Sequence, residues 1–375
     1  MKVLLLSAYA AQSHVYWHES LQSMFPQWEW TILTLPPRHF SWRVRGNPLY
    51  WSISEREVLE DDSYDLLLVT SMVDLACLRG LVPRLALLPS VVYFHENQFE
   101  YPRGSQQSSI VEAQMVSLYS ALAADRIVFN SAYNRDSFLR GCRDLLKRLP
   151  DKVPGGIVPE LEAKSAVLPV PLAPQLPAMN AVWPGTSGDY PSRPLRLLWV
   201  GRFEYDKGGE LLQRILTIIS VRNLPFEVAV VGQQFRQSPT VFAQIEQQFC
   251  DCIVQFGYLE EASHFHQILQ GADIVLSTAL HEFQGLAVLE AIDAGCIPVV
   301  PNRLVYPEVV PQSFCYPPSS ELEGDEAEQA ADLIEATAQR LASGSMTCPD
   351  MSAFSQETLS PRYQGLFEEV GALRH

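Results

Sequence analysis

The sequence predicts an α/β protein made of two doubly wound parallel-sheet domains, and three observations predict it. Short apolar runs alternate with longer helical stretches from residue 3 to residue 170. The alternation breaks at a stretch rich in Pro, Gly, Ser and Asn, then resumes. The 375 residues, 47% of them hydrophobic, suffice to bury two cores.

Taken in order, the first run is 3–6, behind Met1-Lys2. With Ala8-Tyr9-Ala10 it superficially resembles a short signal peptide. It fits the first buried strand of a nucleotide-binding fold better, because it is short and ends in the small polar loop Ala11-Gln12-Ser13-His14. Runs at 66–69, 91–94, 127–129 and 167–170 continue the βαβ alternation. The predicted first domain is therefore 1–172, and the Pro-rich stretch 173–194 is a linker or surface loop. Runs at 195–200, 228–231, 253–256, 274–277 and 297–300 build a second domain, 195–350. Within it the acidic, polar stretch 319–329 precedes a helix at 330–341. In the last segment, 351–375, residues 360–373 carry apolar side chains at helical spacing and are expected to pack back on the first domain.

Charge is distributed unevenly. Residues 1–155 carry 15 Lys and Arg against 16 Asp and Glu, a net of −1, whereas residues 156–375 carry 12 against 27, a net of −15. A polyanionic partner would be tolerated only by the first half. Seven cysteines, with Cys250 and Cys252 the only close pair, show neither disulfide nor zinc-finger spacing and are expected to be reduced. No uninterrupted apolar run approaches about 18 residues, so a soluble, cytoplasmic protein without a membrane span is expected.

The segment carrying most chemistry is Leu280-His281-Glu282-Phe283-Gln284-Gly285-Leu286-Ala287-Val288-Leu289-Glu290-Ala291. It follows a strand and opens a helix, so the amides around Gly285, Leu286 and Ala287 would sit at a positive helix end suited to a diphosphate. Glu290 would accept ribose hydroxyls and Glu282 would face a sugar, although an isolated glutamate at Glu290 also fits a residue that faces solvent or pairs locally. A second segment, Gly201-Arg202-Phe203-Glu204-Tyr205-Asp206-Lys207-Gly208, lies at the carboxyl end of that domain's first strand, where such sheets place ligands. Arg202 would fork onto a phosphate and Lys207 would add a point charge. In the first domain His95, at a strand end, would bond a sugar, tune the reacting centre or be a satisfied half-buried histidine. Ser13 and His14 lie where the first strand meets its helix.

These residues resemble the retaining family-4 glycosyltransferases of the GT-B fold, through Glu282 with Glu290, Arg202 with Lys207 and the run Glu-Ala-Ile-Asp-Ala-Gly-Cys-Ile-Pro-Val-Val. Within that family His95-Glu96-Asn97-Gln98, Ser13-His14, Leu35-Pro36 with Trp42-Arg43, and His281-Glu282-Phe283 resemble the tRNA-queuosine mannosyltransferases. The resemblance implies two Rossmann-like domains facing across a cleft. The second would bind a nucleotide sugar, GDP-mannose, and the first a tRNA bearing queuosine. By the same resemblance Arg202 and Lys207 hold the diphosphate, Glu290 the ribose, Glu282 the sugar hydroxyls, and His95 lies near the sugar, with Gly201, Gly285, Leu286, Ala287, Ser13 and His14 around the donor. Transfer would proceed at the front face with retention, without cofactor or metal, and no Asp-x-Asp triplet occurs. Residues reading the base would lie in 232–258, around Gly232 and Tyr258. Two departures stand out. Ala11-Gln12 replaces the relatives' Gly-Gly, and Phe283-Gln284 replaces their Pro-Phe, removing a proline that presets the helix start.

For the acceptor, Arg38, His39, Arg43 and Arg45 interleave with Phe40 and Trp42, a mixture suited to phosphates and stacked bases. A second run, Arg135, Arg140, Arg143, Lys147, Arg148 and Lys152, has helical spacing. Asn97 and Gln98 complete the expected acceptor side, and each basic run also fits ordinary solvated helix. A lipid or small-molecule acceptor is the main alternative, marked by an exposed apolar stripe beside the basic face. A non-catalytic nucleotide-sugar sensor would lack the charged groups that are present here. A dehydrogenase would need a Gly-x-Gly-x-x-Gly after the first strand, which this chain does not have.

Overall fold

The computed structural model describes residues 1–100, 107–174, 183–234, 238–318 and 325–373. Parts of the expected linker (175–182), of the acidic loop (319–324) and of the base-reading region (235–237) lie outside the described residues. The chain forms two compact units, residues 1–173 with 353–375, and residues 174–352.

The first unit runs β1 (Lys2–Ser7), α1 (Gln12–Met24), β2 (Glu29–Thr34), α2 (Phe40–Ser54), α3 (Arg56–Leu59), β3 (Leu66–Thr70), α4 (Leu75–Leu81), β4 (Ser90–Phe94), α5 (Gln107–Ala123), β5 (Arg126–Phe129), α6 (Ala132–Arg148), α7 (Ile157–Ala163) and β6 (Ser165–Val167). Its strands lie in the order β2-β1-β3-β4-β5-β6 and pair in parallel. The central strands β1, β3 and β4 are buried on both faces, which is why they appear as continuous apolar runs. β2, with the sequence EWTILT, is a half-buried edge strand and lacks such a run. β6 begins at Ser165, earlier than the apolar run 167–170 suggests, with Ser165 Oγ bonded back to the Leu161 carbonyl.

α2 holds a proline in its interior. Pro48 has no N–H to offer the Val44 carbonyl, and the buried Asn47 Nδ2 supplies that bond instead, at 3.0 Å, while also reaching the Arg43 and Met72 carbonyls.

The second unit runs β7 (Leu195–Val200), α8 (Gly209–Val221), β8 (Phe226–Val231), α9 (Thr240–Gln248), β9 (Ile253–Gly257), α10 (Ala262–Gly271), β10 (Ile274–Leu276), α11 (Leu286–Asp293), β11 (Ile297–Pro301), α12 (Tyr306–Val309), β12 (Cys315–Tyr316) and α13 (Glu326–Ala342). The strand order is β12-β11-β10-β7-β8-β9, again parallel. α13 starts four residues before the apolar periodicity does, because Asp325 caps it through the Ala327 amide.

The last helix, α14 (Gln356–Gly371), belongs to the first unit and lies with α1 on one face of its sheet. Tyr363 Oη accepts from Trp17 Nε1 (3.2 Å) and donates to the Pro169 carbonyl (3.0 Å). All seven cysteines are unpaired. Among the described residues no helix is long and apolar enough to cross a membrane.

Candidate active site

In a doubly wound sheet, ligands bind beyond the carboxyl ends of the strands where the order reverses. In the second unit that point lies between β7 and β10, so its two loops are 201–208 and 277–285. They are stitched together. The Leu280 and His281 amides donate to the Asp206 carbonyl, and Thr278 Oγ1 donates to the Lys207 carbonyl while accepting from Trp199 Nε1. Gly208 makes this approach possible, since it sits at φ +71° and a Cβ there would lie 2.0 Å from the Thr278 carbonyl oxygen.

The stitching brings Lys207 onto Glu282. Lys207 Nζ lies 3.1 Å from Glu282 Oε2, 3.0 Å from the His281 carbonyl and 3.5 Å from Asp206 Oδ2. Burial alone would lower the lysine's pKa, but the Glu282 and Asp206 charges outweigh it and hold it above its ordinary value. Burial likewise pushes the Glu282 carboxyl up, and the Lys207 charge, its hydrogen bond and the Gly285 and Phe283 amides more than reverse this. Both groups are therefore charged at neutral pH. Arg202, about half exposed, is 3.0 Å from Glu204 and 4.0 Å from Asp206. Asp206 is the member that sequence reasoning passed over; its place one residue before Lys207 was the available signal.

α11 opens on Gly285 at φ +73°, where a Cβ would lie 3.3 Å from the Tyr306 ring, and the Gly285 amide donates to the Glu282 carboxylate at the helix start. The first-turn amides of Leu286 and Ala287 have no carbonyl a turn earlier within the helix, and both residues are half-buried rather than sealed. Tyr306 Oη meets Ser277 Oγ at 2.6 Å and Tyr316 Oη donates to the Ser277 carbonyl, fixing the strand end from behind. Glu290 lies on α11, half-buried, two turns from Glu282 in the chain. Gly201 and Gly232 meet back to back, since a Cβ on Gly232 would sit 1.7 Å from the Gly201 carbonyl.

The first unit gathers an uncharged cluster. His14 of α1 stacks on His95 after β4 (centroids 4.1 Å apart), Trp17 stacks on Tyr93 (4.3 Å), and His14 Nδ1 lies 3.4 Å from Ser7 Oγ. Burial, then the neighbouring His18, push His14 down to about 3, and burial with His14 and His18 carries His95 well below its ordinary value. Both rings are neutral at physiological pH. Ser13 is exposed in the first turn of α1.

Two expected acceptor residues turn out to be scaffolding. Asn97 is fully buried, its Nδ2 donates to Asn134 and Ser137 on α6 and its Oδ1 accepts from the Phe99 amide, so the side chain ties the loop to that helix. Gln98 is buried against Met72, and its carbonyl takes the Gln114 side chain. Arg45 pairs with Asp74 and Glu112, Arg140 with Glu100 and Lys147 with Asp144, which reduces the net charge they present. Arg38 and Arg143 are exposed, without an acidic partner among the described residues, and Arg43 is half-buried. Trp42 is 57% exposed and lies across Gly46, where a Cβ would come 2.5 Å from its ring.

Comparison with known proteins matches this arrangement. Residues 2–172 match a family model described as the tRNA-queuosine alpha-mannosyltransferase N-terminal region, and residues 194–338 match glycosyl transferases group 1. The tRNA-queuosine alpha-mannosyltransferase of Drosophila melanogaster is 35% identical over 293 residues, 78% of this chain and 77% of that one. In fold, the chain is similar to sucrose-phosphate synthase from Thermosynechococcus elongatus (TM-score 0.66, 13% identity, 99% and 100% of the two chains). It is similar too to a UDP-forming trehalose-phosphate synthase from Burkholderia xenovorans (TM-score 0.65, 13% identity, 99% of each chain). With both sheets of the GT-B type and a relative this similar along most of its length, the chain belongs to the family of tRNA-queuosine alpha-mannosyltransferases.

Proposed function

We propose that this glycosyltransferase moves mannose from GDP-mannose to the cyclopentenediol of queuosine in a tRNA anticodon, with retention and without a metal ion. The observation that carries the donor side is the Lys207–Glu282 pair at the switch point of the second sheet, beside the start of α11. Lys207, Arg202 and the Leu286 and Ala287 amides take the diphosphate, Glu282 the sugar hydroxyls and Glu290 the ribose. His95, neutral, serves the sugar. In the transfer step the bond from the sugar's anomeric carbon to the diphosphate oxygen breaks and one to the acceptor oxygen forms. The acceptor's proton passes to the departing diphosphate, whose charge the cations stabilise.

The first unit supports the tRNA side. Its near-neutral half of the chain tolerates a polyanion, and the exposed Trp42 ring, near Arg38 and Arg43 in the sequence, suits an unstacked base next to phosphates. One observation favours a second reading. Trp42, Leu49, Tyr50 and Ile53 leave an apolar stripe along α2, with Ile53 71% exposed, and such a stripe beside arginines also suits an anionic membrane and a lipid acceptor.

The deciding experiment incubates the protein with labelled GDP-mannose or UDP-glucose in EDTA, with queuosine tRNA, queuosine-free tRNA and anionic vesicles. Label from GDP-mannose on the queuosine tRNA alone is the expected result. Label extracted with lipid would replace it with the second reading.

A further inference from the structure

Arg202 and Lys207, the two cations that take the diphosphate in the reading above, stand close enough to oppose each other. The Arg202 charge lowers the pKa of Lys207, against the larger upward pull of the lysine's carboxylate neighbours. Like charges aimed at one place repel until a ligand arrives, and in a largely buried site water screens that repulsion little. A pair of cations ready for a diphosphate therefore needs an anion close to both that the substrate does not itself engage.

Three carboxylates stand in these loops. Glu204 is 3.0 Å from Arg202, but 37% of its side chain is exposed, so water and salt weaken its hold. Glu282 is the group that faces the sugar hydroxyls in the proposed reaction. Asp206 is better placed than either. It rides with Lys207 on the short turn Tyr205–Lys207 that Gly208 closes, and only 13% of its side chain is exposed. Its Oδ2 lies 3.5 Å from Lys207 Nζ and 4.0 Å from Arg202 Nη2, within reach of both cations. His281 Nδ1 is 3.9 Å away, but burial and then the Lys207 charge lower the pKa of that ring, so it is neutral and is not a counterion. Among the described residues Oδ2 forms no hydrogen bond, so it acts there as a charge and not as a link in the fold. The two loops are joined through the Asp206 main chain instead, whose carbonyl takes the Leu280 and His281 amides. We propose that Asp206 is a positioning residue for the transfer: its carboxylate, shared by Arg202 and Lys207, holds both cations on one place before the donor enters and leaves Glu282 to the sugar. This rests on the donor-site reading above and adds to it a residue that touches neither sugar nor acceptor. It also carries a distinctive signature, because a carboxylate beside the phosphate-binding cations opposes the incoming diphosphate. Asp206 should weaken donor binding while it aligns the site for reaction.

Asp206→Asn tests this, since it keeps the shape of the side chain, removes its charge and leaves the main-chain bonds in place. Affinity for GDP, measured by calorimetry, should equal that of the wild type or exceed it. The kcat for transfer from GDP-mannose to queuosine tRNA should nonetheless fall roughly 10- to 100-fold, the cost of misplaced groups at a reacting centre. In a Lys207→Met background the same substitution should change single-turnover transfer by less than about 2-fold, because no pair of cations is left to hold together. Wild-type kcat in Asp206→Asn, weakened GDP binding, or the full loss repeated in the Lys207→Met background would each overturn the role while leaving the proposed function intact. Absence of transfer by the wild-type protein would instead overturn the proposed function, and the role with it.

Discussion

Replacing Lys207 by methionine keeps the length of the side chain and removes its charge. Only 14% of the Lys207 side chain and 25% of Glu282 are exposed, so the variant strands a largely buried carboxylate with amide donors but no counterion. Breaking a buried pair from one side costs about 3–5 kcal/mol, and the partial exposure of Glu282 places the expected loss at about 3 kcal/mol. For a folded unit of this size that is a fall of roughly 6–12 °C in the melting temperature. Adding Glu282→Gln removes the stranded charge, so the double variant should regain most of the stability. Turnover should behave differently. Loss of one preorganised charge facing the leaving group costs about 10²–10³ in kcat, and the second substitution cannot restore it. Thermal unfolding followed by circular dichroism, together with single-turnover label transfer, reads both quantities. Wild-type melting and turnover in Lys207→Met would refute the assignment, and recovery of turnover along with stability in the double variant would reduce the pair to a structural bond. The sign of the pH dependence follows from the shifts. Glu282 ionises below its ordinary 4.5, so its contribution is complete above that value and is lost as pH falls through the lowered one. Lys207 is raised above 10.5, so its contribution is complete below that and is lost only at higher pH. The deficit of the variant should accordingly be constant across neutral pH.

Gly208→Ala should destabilise the second unit and abolish transfer, because the new Cβ would lie 2.0 Å from the Thr278 carbonyl at a left-handed φ; soluble expression and melting temperature check it. Trp42→Ala should weaken tRNA binding by about 1–3 kcal/mol, roughly 5- to 150-fold, without changing GDP-mannose affinity, as measured by filter binding and calorimetry. His14 is held neutral with a pKa near 3 against 6.5 when unfolded, so the unfolded chain takes up the proton first on acidification. Stability should therefore fall as pH drops from 6.5 toward 3, by up to about 1.4 kcal/mol per pH unit for this group, and His14→Gln should flatten the melting-temperature profile over that range.

Legibility in the sequence followed burial. β1, β3, β4 and β7 are covered on both faces and stand out as apolar runs, whereas β2 at the sheet edge and the two-residue β12 have no such signature. α2 contains Pro48, and the Val44 carbonyl that this proline leaves unmet is satisfied by the Asn47 side chain in a way no local pattern announces. Arg202, Lys207, Glu282 and Gly285 could be placed in strand-end loops because such loops of a doubly wound sheet can be counted along the chain. That Lys207 bonds Glu282, 75 residues away, depends on how two loops are stitched. Asn97 shows the converse error. A polar residue in a strand-end loop looks like a ligand contact, but here its amide closes the loop on α6.

The two switch points hold opposite chemistry, and the difference bears on which substrate each unit takes. In the second unit the loops concentrate two cations, three carboxylates and a helix N-terminus, and the cations and helix end suit a diphosphate carrying charge into and out of the reaction. In the first unit the corresponding loops hold hydroxyls and histidines kept neutral by burial. An ionised group there would compete for the acceptor's hydroxyls and would be costly to desolvate once a bulky base covered it. The long-range field acts in the same direction, since the net charge of −15 falls on residues 156–375 and only −1 on residues 1–155. An RNA approaching the second unit would meet repulsion screened over about 8 Å at physiological salt. Raising the salt concentration should thus weaken the phosphate contacts of the first unit without impairing entry of a neutral diol, so transfer to a short queuosine-bearing anticodon fragment should depend on salt less steeply than transfer to whole tRNA.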